Sequence, residues 1–154
     1  MRSFATTIDI AAPGARVWEV LTDVERWQEW TPSITSVKRL DSGPFGMGSR
    51  ARILQPKLLP AVWRVIAIEP GTSFAWVSTA PGVRVVGSHS IMPTPSGVTA
   101  TIAVELQGIL SGLFGWLTGA ITERYIAYEA KGLKLRSENP SYRHGDNHLP
   151  ARSR

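Results

Sequence analysis

Six strand-like runs follow one another between residues 34 and 107, with no helical pattern between them. Each run is rich in valine, isoleucine, threonine or aromatic residues, and each break contains glycine or proline. Parallel strands need a crossover of about a dozen residues, so connections this short join antiparallel neighbours. The sequence therefore predicts an antiparallel meander of six strands: ITSVKRLDS, SRARILQ, AVWRVIAIE, TSFAWVST, VRVVGSHSIM and VTATIAVELQ.

The segment before the meander predicts one more strand and two short helices. Residues 3–11 alternate apolar and polar side chains, which is typical of a strand. Pro13 favours a helix start, and apolar residues then recur at helical spacing. Asp23 is a candidate cap for a second short helix in which Val24, Trp27 and Trp30 share a face. Thr31-Pro32 ends that helix, because a residue before proline avoids helical geometry.

A long helix is predicted from about Leu110 to Ser137. Its apolar stripe, which we expect to face the sheet, consists of Leu110, Leu113, Phe114, Leu117, Ile121, Tyr125, Tyr128 and Leu135. A sheet with one apolar face needs a cover, and this helix is the element long enough to provide it. The sequence thus predicts an α+β fold with a seven-stranded curved antiparallel sheet wrapped around a long C-terminal helix. We expect one domain, residues 1–137, followed by a disordered tail, residues 138–154.

Composition narrows the classes of function. The chain contains no cysteine, which excludes disulfides, thiolate metal sites and cysteine nucleophiles. Seventeen Lys and Arg against twelve Asp and Glu give a net charge of +5. The cations between residues 38 and 64 alternate along strands rather than forming a run. They predict a solvated outer sheet face and no nucleic-acid partner.

The N-terminus lacks the apolar region of a signal peptide, so we expect a cytoplasmic protein. The longest uncharged stretch, residues 106–122, contains four glycines and lies at the lower limit for a membrane span. It predicts a strand end and a helix start, and no integral membrane segment. The sequence leaves the oligomeric state open, a homodimer included.

His89 is the candidate catalytic residue. It shares strand phase with Val83, Val85, Gly87 and Ile91, which predicts an inward side chain. An inward imidazole can orient a ligand carbonyl or transfer a proton near neutral pH. The alternative is a core histidine bonded to a neighbouring strand or to a tyrosine of the long helix.

Aromatic residues provide the other candidates for a ligand site. Tyr125 and Tyr128 lie three residues apart on the predicted stripe, so both hydroxyls are expected to face the sheet. Tryptophan forms a rigid apolar wall with one hydrogen-bond donor, which suits a flat ligand and equally suits an ordinary core. The candidate ligand-binding residues are Trp30, Trp63, Phe74, Trp76, His89, Phe114, Tyr125 and Tyr128.

Two further patterns predict no phosphate or metal site. The loop GPFGMG, residues 43–48, lacks the GK[ST] ending of a phosphate loop and does not precede a helix. It favours a hairpin loop whose position would suit a gate. His144 and His148 have the spacing of helical metal ligands, but Gly145, Asp146 and Asn147 between them oppose helix. We therefore predict no metal and no cofactor.

The order of elements resembles the START/polyketide-cyclase (SRPBCC) superfamily, which has the helix-grip fold of the birch pollen allergen. The resemblance covers residues 3–137 and is carried by APGARVWEVLTDVERWQEWTP, GPFGMG, GSHSIMPTPSGVTATIAVELQG and AYEAKGLKLRSE. Its uncharacterised polyketide-cyclase/dehydratase-like branch is the most similar. The resemblance implies a cavity for a hydrophobic ligand between sheet and helix, and it carries over no catalytic residue.

Three hypotheses follow. The first is a carrier or sensor of a small hydrophobic or aromatic molecule, lipid-like or polyketide-like. The second is a polyketide cyclase or dehydratase that uses the same cavity. The third is a basic surface formed by Arg39, Arg50, Arg52 and Arg64 that binds nucleic acid or another protein, and it predicts steep salt dependence.

Overall fold

The computed structural model describes residues 2–145, and its elements occur in the predicted order. The strands are β1 (Arg2–Ile10), β2 (Ser36–Arg39), β3 (Arg50–Leu54), β4 (Ala61–Glu69), β5 (Ser73–Ala80), β6 (Val83–Thr94) and β7 (Gly97–Gln107). The helices are α1 (Gly14–Thr22), the 3-10 helix η1 (Val24–Glu29) and α2 (Ser111–Glu138). The predicted elements are thus confirmed.

The seven strands form one antiparallel sheet in the order β1-β7-β6-β5-β4-β3-β2. Strands β2 to β7 are the predicted meander, and β1 adds to its free edge beside β7. The pairing of β4 with β5 shifts register between Val65 and Ala67. An extra residue of this kind bends a strand and increases its twist, which helps the sheet to curve around the helices. The seven-stranded helix-grip fold is confirmed.

The concave face of the sheet is covered by all three helices. Val24, Trp27 and Trp30 are each at most 2% exposed, which confirms that they share a buried face around η1. The Asp23 side chain makes no capping hydrogen bond and pairs instead with Arg26 at 3.3 Å. Helix α2 lies chiefly over β1 and β7 and reaches α1 with its C-terminal half. In the part of the chain that the structure describes, no helix has the length and apolar character needed to cross a bilayer.

The predicted sheet-facing stripe of α2 is wrong at three positions. Leu113 and Leu117 in the first half of the helix are 51% and 59% exposed, and Tyr128 in the second half is 41% exposed. The buried positions are instead Ser111, Gly115, Gly119, Ile126, Ala130, Gly132, Leu133 and Ser137. Small residues face inward because α2 lies very close to its neighbours, and larger side chains there would hold it away.

The closest of these approaches is at Gly132. A Cβ added there would lie 2.0 Å from the Trp30 carbonyl oxygen. A Cβ at Gly115 would lie 2.7 Å from Cγ of Arg2, and one at Gly119 would lie 3.4 Å from the Phe4 ring. Glycine therefore sets how deeply α2 sits, both beside β1 and against the chain after η1.

Residues 139–145 pack back on η1, in contrast to the disordered tail expected from residue 138. The His144 backbone N–H donates to the Glu29 carbonyl at 3.0 Å, and Arg136 Nη1 donates to the Tyr142 carbonyl at 2.8 Å. Arg136 Nη2 also binds Glu29 Oε1 at 2.7 Å, and this hydrogen bond lowers the pKa of the Glu29 carboxyl. The contacts join distant parts of the chain, so local composition does not reveal them. The rest of the expected tail lies outside the described residues.

Candidate functional site

Aromatic rings fill the centre of the concave face. Phe74 and Trp76 lie on β5 with their ring centroids 5.4 Å apart, and Trp27 of η1 approaches Trp76 to 5.2 Å. Phe74 and Trp76 are 1% and 3% exposed. Both side chains lie on the buried side of β5, as the strand alternation predicts. We call the set Trp27, Phe45, Trp63, Phe74, Trp76 and His89 the aromatic cluster.

His89 lies inside the aromatic cluster, and its predicted inward orientation is confirmed. It comes from β6, is 4% exposed and stacks on Phe74 at 4.6 Å with an angle of 19° between the rings. The edges of Trp27 and Trp76 surround it at 5.2 and 6.1 Å. Within the residues that the structure describes, His89 is thus the only titratable side chain that is buried, and aromatic rings surround it.

Glu129 of α2 is the polar partner of His89. Nε2 of the imidazole lies 2.6 Å from Glu129 Oε1, and the glutamate side chain is only 13% exposed. A carboxylate accepts hydrogen bonds, so it holds a proton on Nε2. In the neutral ring Nδ1 is then the acceptor. Nδ1 is buried and makes no hydrogen bond within residues 2–145.

A second unpaired polar atom belongs to Trp63 of β4. Its indole Nε1 is buried and has no hydrogen-bond acceptor among the described residues, whereas Trp27 Nε1 donates to the Leu21 carbonyl at 3.1 Å. The Trp63 ring packs against Trp76 at 5.8 Å. Gly87 gives the two indoles their space, since a Cβ there would lie 3.1 Å from Trp76 Nε1. Among the described residues, the aromatic cluster therefore contains a fully buried donor without an acceptor, Trp63 Nε1, and a fully buried acceptor without a donor, His89 Nδ1.

The remaining predicted site residues lie outside this centre. Trp30 is 1% exposed and packs on Trp27 between η1 and α2, as part of the core. Phe114 is half-buried on α2. The Tyr125 hydroxyl donates to the Pro56 carbonyl in the β3–β4 loop. Tyr128 faces solvent, which corrects the expectation that its hydroxyl points to the sheet; the close packing of α2 turns this position outward.

Sequence reasoning missed three members of the site. Trp27 was expected on a buried face of η1, but not beside His89. Glu129 is four residues after Tyr125 and four before Leu133, so helical spacing alone places it on the inner side of α2. A carboxylate on the inner side of α2 is the sequence signal that could have identified Glu129 as a member of the site. Phe45 lies in a glycine-rich loop and had no periodic pattern to reveal its packing.

The β2–β3 loop carries Phe45 onto the cluster and is held at its base. Arg39 Nη1 donates to the Gly43 carbonyl at 2.6 Å, and Arg50 Nη2 binds Asp41 at 3.1 Å. The hydrogen bonds from Arg50 also lower the pKa of the Asp41 carboxyl. Phe45 then meets the Phe74 ring edge-on at 5.2 Å. This confirms a hairpin loop, and it gives Arg39 and Arg50 a structural role.

A cleft of about 450 Å³ opens on the other side of Phe45. Helices α1 and η1 form one wall, and Arg39, Phe45, Ile68 and Pro70 form the other. Phe45 and Trp18 both line the cleft, and both meet the buried Phe74 ring edge-on, at 5.2 and 6.3 Å. Trp18 belongs to helix α1, whereas Phe45 belongs to the β2–β3 loop.

The histidine pair near the C-terminus is only partly described. His144 Nε2 lies 2.7 Å from the Gln28 carbonyl, so its ring packs on η1. His148 lies outside the described residues. Over residues 2–145, no three His, Asp or Glu side chains are grouped as metal ligands.

Comparisons with known proteins agree with this architecture. The family model described as polyketide cyclase / dehydrase and lipid transport matches residues 1–138. An uncharacterised protein of Mycobacterium tuberculosis is 29% identical over an alignment of 111 residues that covers 68% of this chain. The chain spans 66% of that relative's length.

Two solved structures share the fold. A protein of Thermus thermophilus superposes with a TM-score of 0.73 and 18% identity, covering 92% of this chain and all of its own. The Zhui aromatase/cyclase of a Streptomyces species also gives a TM-score of 0.73, with 21% identity over 94% of this chain and 98% of its own. The resemblance stated from the sequence is confirmed, and this chain belongs to the polyketide cyclase/dehydrase and lipid transport family.

Proposed function

We propose that this protein binds a small hydrophobic or aromatic molecule at the aromatic cluster, as a carrier or sensor. The supporting observation is the pair of buried polar atoms, His89 Nδ1 and Trp63 Nε1, that have no partner among the described residues. A buried polar group without a hydrogen bond costs about 1–3 kcal/mol. A ligand that satisfies both atoms would recover this cost and would bury apolar surface at about 25 cal/mol per Å².

The two atoms specify the polar groups of the ligand. Trp63 Nε1 can only donate, so it needs an oxygen acceptor such as a carbonyl. With Glu129 holding the proton on Nε2, His89 Nδ1 accepts and needs a hydroxyl donor. A flat molecule that carries both a carbonyl and a hydroxyl fits this pattern, and a polyketide-like aromatic compound is one such class.

Phe45 is the proposed gate for this ligand. Together with Trp18 it lies between the 450 Å³ cleft and Phe74, and it is carried by a loop rather than by a helix. Arg39 and Asp41 hold the start of this loop, and the Gly48 N–H donates to the Val65 carbonyl near its end. A Phe45→Ala variant is expected to exchange bound ligand faster at similar affinity. Stopped-flow measurement of ligand release tests this, and an unchanged release rate would exclude the gate.

Native mass spectrometry of freshly purified protein is the first experiment. A bound molecule of defined mass, identified after solvent extraction, supports the carrier. The same molecule should bind at least about tenfold more weakly to His89→Gln, which loses one hydrogen bond and its pairing with Glu129. Tyr128→Phe is the matched control, because Tyr128 faces solvent and its loss should leave affinity unchanged. Equal binding by wild type and His89→Gln would contradict the proposed site.

The second candidate function is a polyketide cyclase or dehydratase. The Glu129–His89 pair favours it, because a carboxylate behind an imidazole stabilises the imidazolium that forms when Nδ1 accepts a proton. In a dehydration, Nδ1 would take the proton from carbon and return it to the departing hydroxyl, which leaves as water. The Glu129→Gln variant separates the two functions. An enzyme would lose turnover and keep most of its binding, whereas a carrier would change only in affinity.

A further inference from the structure

Exposed apolar side chains gather at one end of the sheet. The antiparallel register places the β3–β4 loop, the β5–β6 turn and the β7–α2 junction at the same end. The Tyr125 hydroxyl bonds the first of these to α2, and the Leu110 N–H donates to the Gly82 carbonyl of the second. We call the exposed set at this end the apolar rim: Leu59, Ile109, Leu113, Trp116 and Leu117.

The exposure of the apolar rim is large. Leu59 is 88% exposed, Ile109 93% and Trp116 76%. The first half of α2 buries small residues and leaves Leu113, Trp116 and Leu117 exposed, so packing within the chain does not explain these three side chains. Several large apolar side chains exposed at one end of a protein are typical of a region that another surface covers.

Basic side chains predominate at this end, and the acid of β7 that lies near them, Glu105, accepts from Gln107 Nε2 at 2.5 Å. Residues 55–60, 79–84 and 107–122 contain no aspartate or glutamate. Lys57 and Arg84 lie in these segments, and the stem of Arg2 packs beside Gly115 on the flank of α2. Arg84 donates to Gln107 at 2.9 Å. Among residues 2–145, none of these three cations has an acidic partner.

We propose that the apolar rim docks on the surface of an anionic lipid bilayer. Trp116 and the leucines would enter the headgroup region, where tryptophan is favoured and apolar side chains leave water. Arg2, Lys57 and Arg84 would reach the lipid phosphates around them. A second copy of the chain fits less well. A symmetric pairing would bring two sets of these three cations together, and none of the three forms an ion pair within residues 2–145.

Flotation with lipid vesicles tests the proposal, and it does not require an internal ligand. We expect the wild-type protein to float with vesicles of phosphatidylcholine and phosphatidylglycerol, and much less with phosphatidylcholine alone. High salt should weaken the binding, since it screens exposed charges. Absence of wild-type binding to the anionic vesicles would overturn the proposal.

Variants distinguish insertion of the apolar rim into the bilayer from attraction of the whole basic protein to anionic lipid. The double variant Leu113→Ser, Trp116→Ser should bind at least about tenfold more weakly. Removing the charge of Lys57 or Arg84 should each cost about fivefold. The matched controls are Met92→Ser, which is 70% exposed at the opposite end of the sheet, and Arg52→Glu, on the outer face of β3. Both controls should bind like the wild type.

Two outcomes of this series would overturn the proposal. If Arg52→Glu weakens binding as much as the Lys57 and Arg84 variants, the attraction belongs to the whole basic protein and not to the apolar rim. If light scattering shows a dimer that the double variant converts to monomer, the apolar rim is a contact between copies. Circular dichroism of each variant confirms that the fold is retained.

Discussion

The two halves of α2 differ in what their side chains do. The second half carries seven charged residues, and it contributes Glu129 to His89, Arg136 to Glu29 and Lys134 to Glu138, at 2.6, 2.7 and 2.6 Å. The first half, residues 111–122, carries no charge, and its side chains Leu113, Trp116 and Leu117 are each more than half exposed. One continuous helix therefore has a half that is fixed to the fold and a half that presents a surface.

The difference shows where this helix gains its stability. Its second half is held by buried contacts and ion pairs, while its first half has three glycines and no side-chain cap at its N-terminus. Glycine lowers helix stability by about 1 kcal/mol relative to alanine. The helix propensity of its residues therefore disfavours the first half of α2, and packing against β1 keeps this half helical. Replacing a glycine by alanine should therefore lower the free energy of unfolding in the second half and raise it in the first half where the new Cβ meets no neighbour.

The largest effect is expected from Gly132→Ala in the second half. The new Cβ would lie 2.0 Å from the Trp30 carbonyl oxygen, so α2 would have to move away from the core. We expect a loss of about 3 kcal/mol in the free energy of unfolding, the upper end for overpacking. Urea denaturation followed by circular dichroism measures it. A stabilised variant would show that the close approach does not exist.

A smaller loss is expected from Glu29→Gln, which breaks the ion pair with Arg136. A hydrogen bond between charged groups contributes about 1.5–3 kcal/mol, so a cost near the lower end is expected. Because the folded protein lowers the pKa of Glu29 below its ordinary 4.5, this stabilisation is complete above pH 4.5. It disappears as the pH falls through the lowered folded-state pKa.

Urea titrations of wild type and Glu29→Gln over a series of pH values check both the size and the sign of this effect. The difference in unfolding free energy should be constant near neutral pH and shrink in acid. A difference that grows in acid would contradict the assigned ion pair. Glu19→Gln is a matched control, because Glu19 is 72% exposed and pairs with Arg16 only at the surface.

Gly112→Ala in the first half should act in the opposite direction. Nothing lies within 4 Å of a Cβ at this position, so the alanine meets no clash. We expect a gain of about 0.5–1 kcal/mol from helix preference. Thermal unfolding of this variant beside Gly132→Ala gives the comparison directly. Equal losses of unfolding free energy in both variants would show that the two halves of α2 do not differ in how closely they pack.

The smallest effect on stability is expected from Trp116→Gln. Its ring is 76% exposed, so the free energy of unfolding should change by no more than about 0.5 kcal/mol. Vesicle binding should nevertheless fall. A large loss of stability would instead place Trp116 within the packing of the fold, and would weaken the case for a docking surface.

The periodicity of apolar residues in the sequence was sufficient to predict the secondary-structure elements and the fold. The six runs with short connections required an antiparallel meander, and alternation along β5 and β6 placed Phe74, Trp76 and His89 on the inner face. These predictions succeeded because they depend on neighbours in sequence, where backbone geometry fixes the period of the side chains.

The rotation of α2 about its axis was decided only by tertiary structure. The apolar count favoured Leu113, Leu117 and Tyr128 on the inner side, yet close contact with Arg2, Phe4 and Trp30 selected the glycines instead. Hydrophobicity gives the period of a helix, but the space available in the core decides which face fits. This orientation of α2 leaves Leu113, Trp116 and Leu117 exposed, and these residues form most of the proposed docking surface.

The partners of the site were also decided by tertiary structure. His89 and Glu129 are forty residues apart, and Phe45 lies in a loop without a period. No local pattern connects such residues, because their contact depends on how the sheet curves and how deeply α2 sits. The sequence by itself therefore predicted the fold and the inward orientation of His89, whereas tertiary packing brought Glu129 into contact with His89.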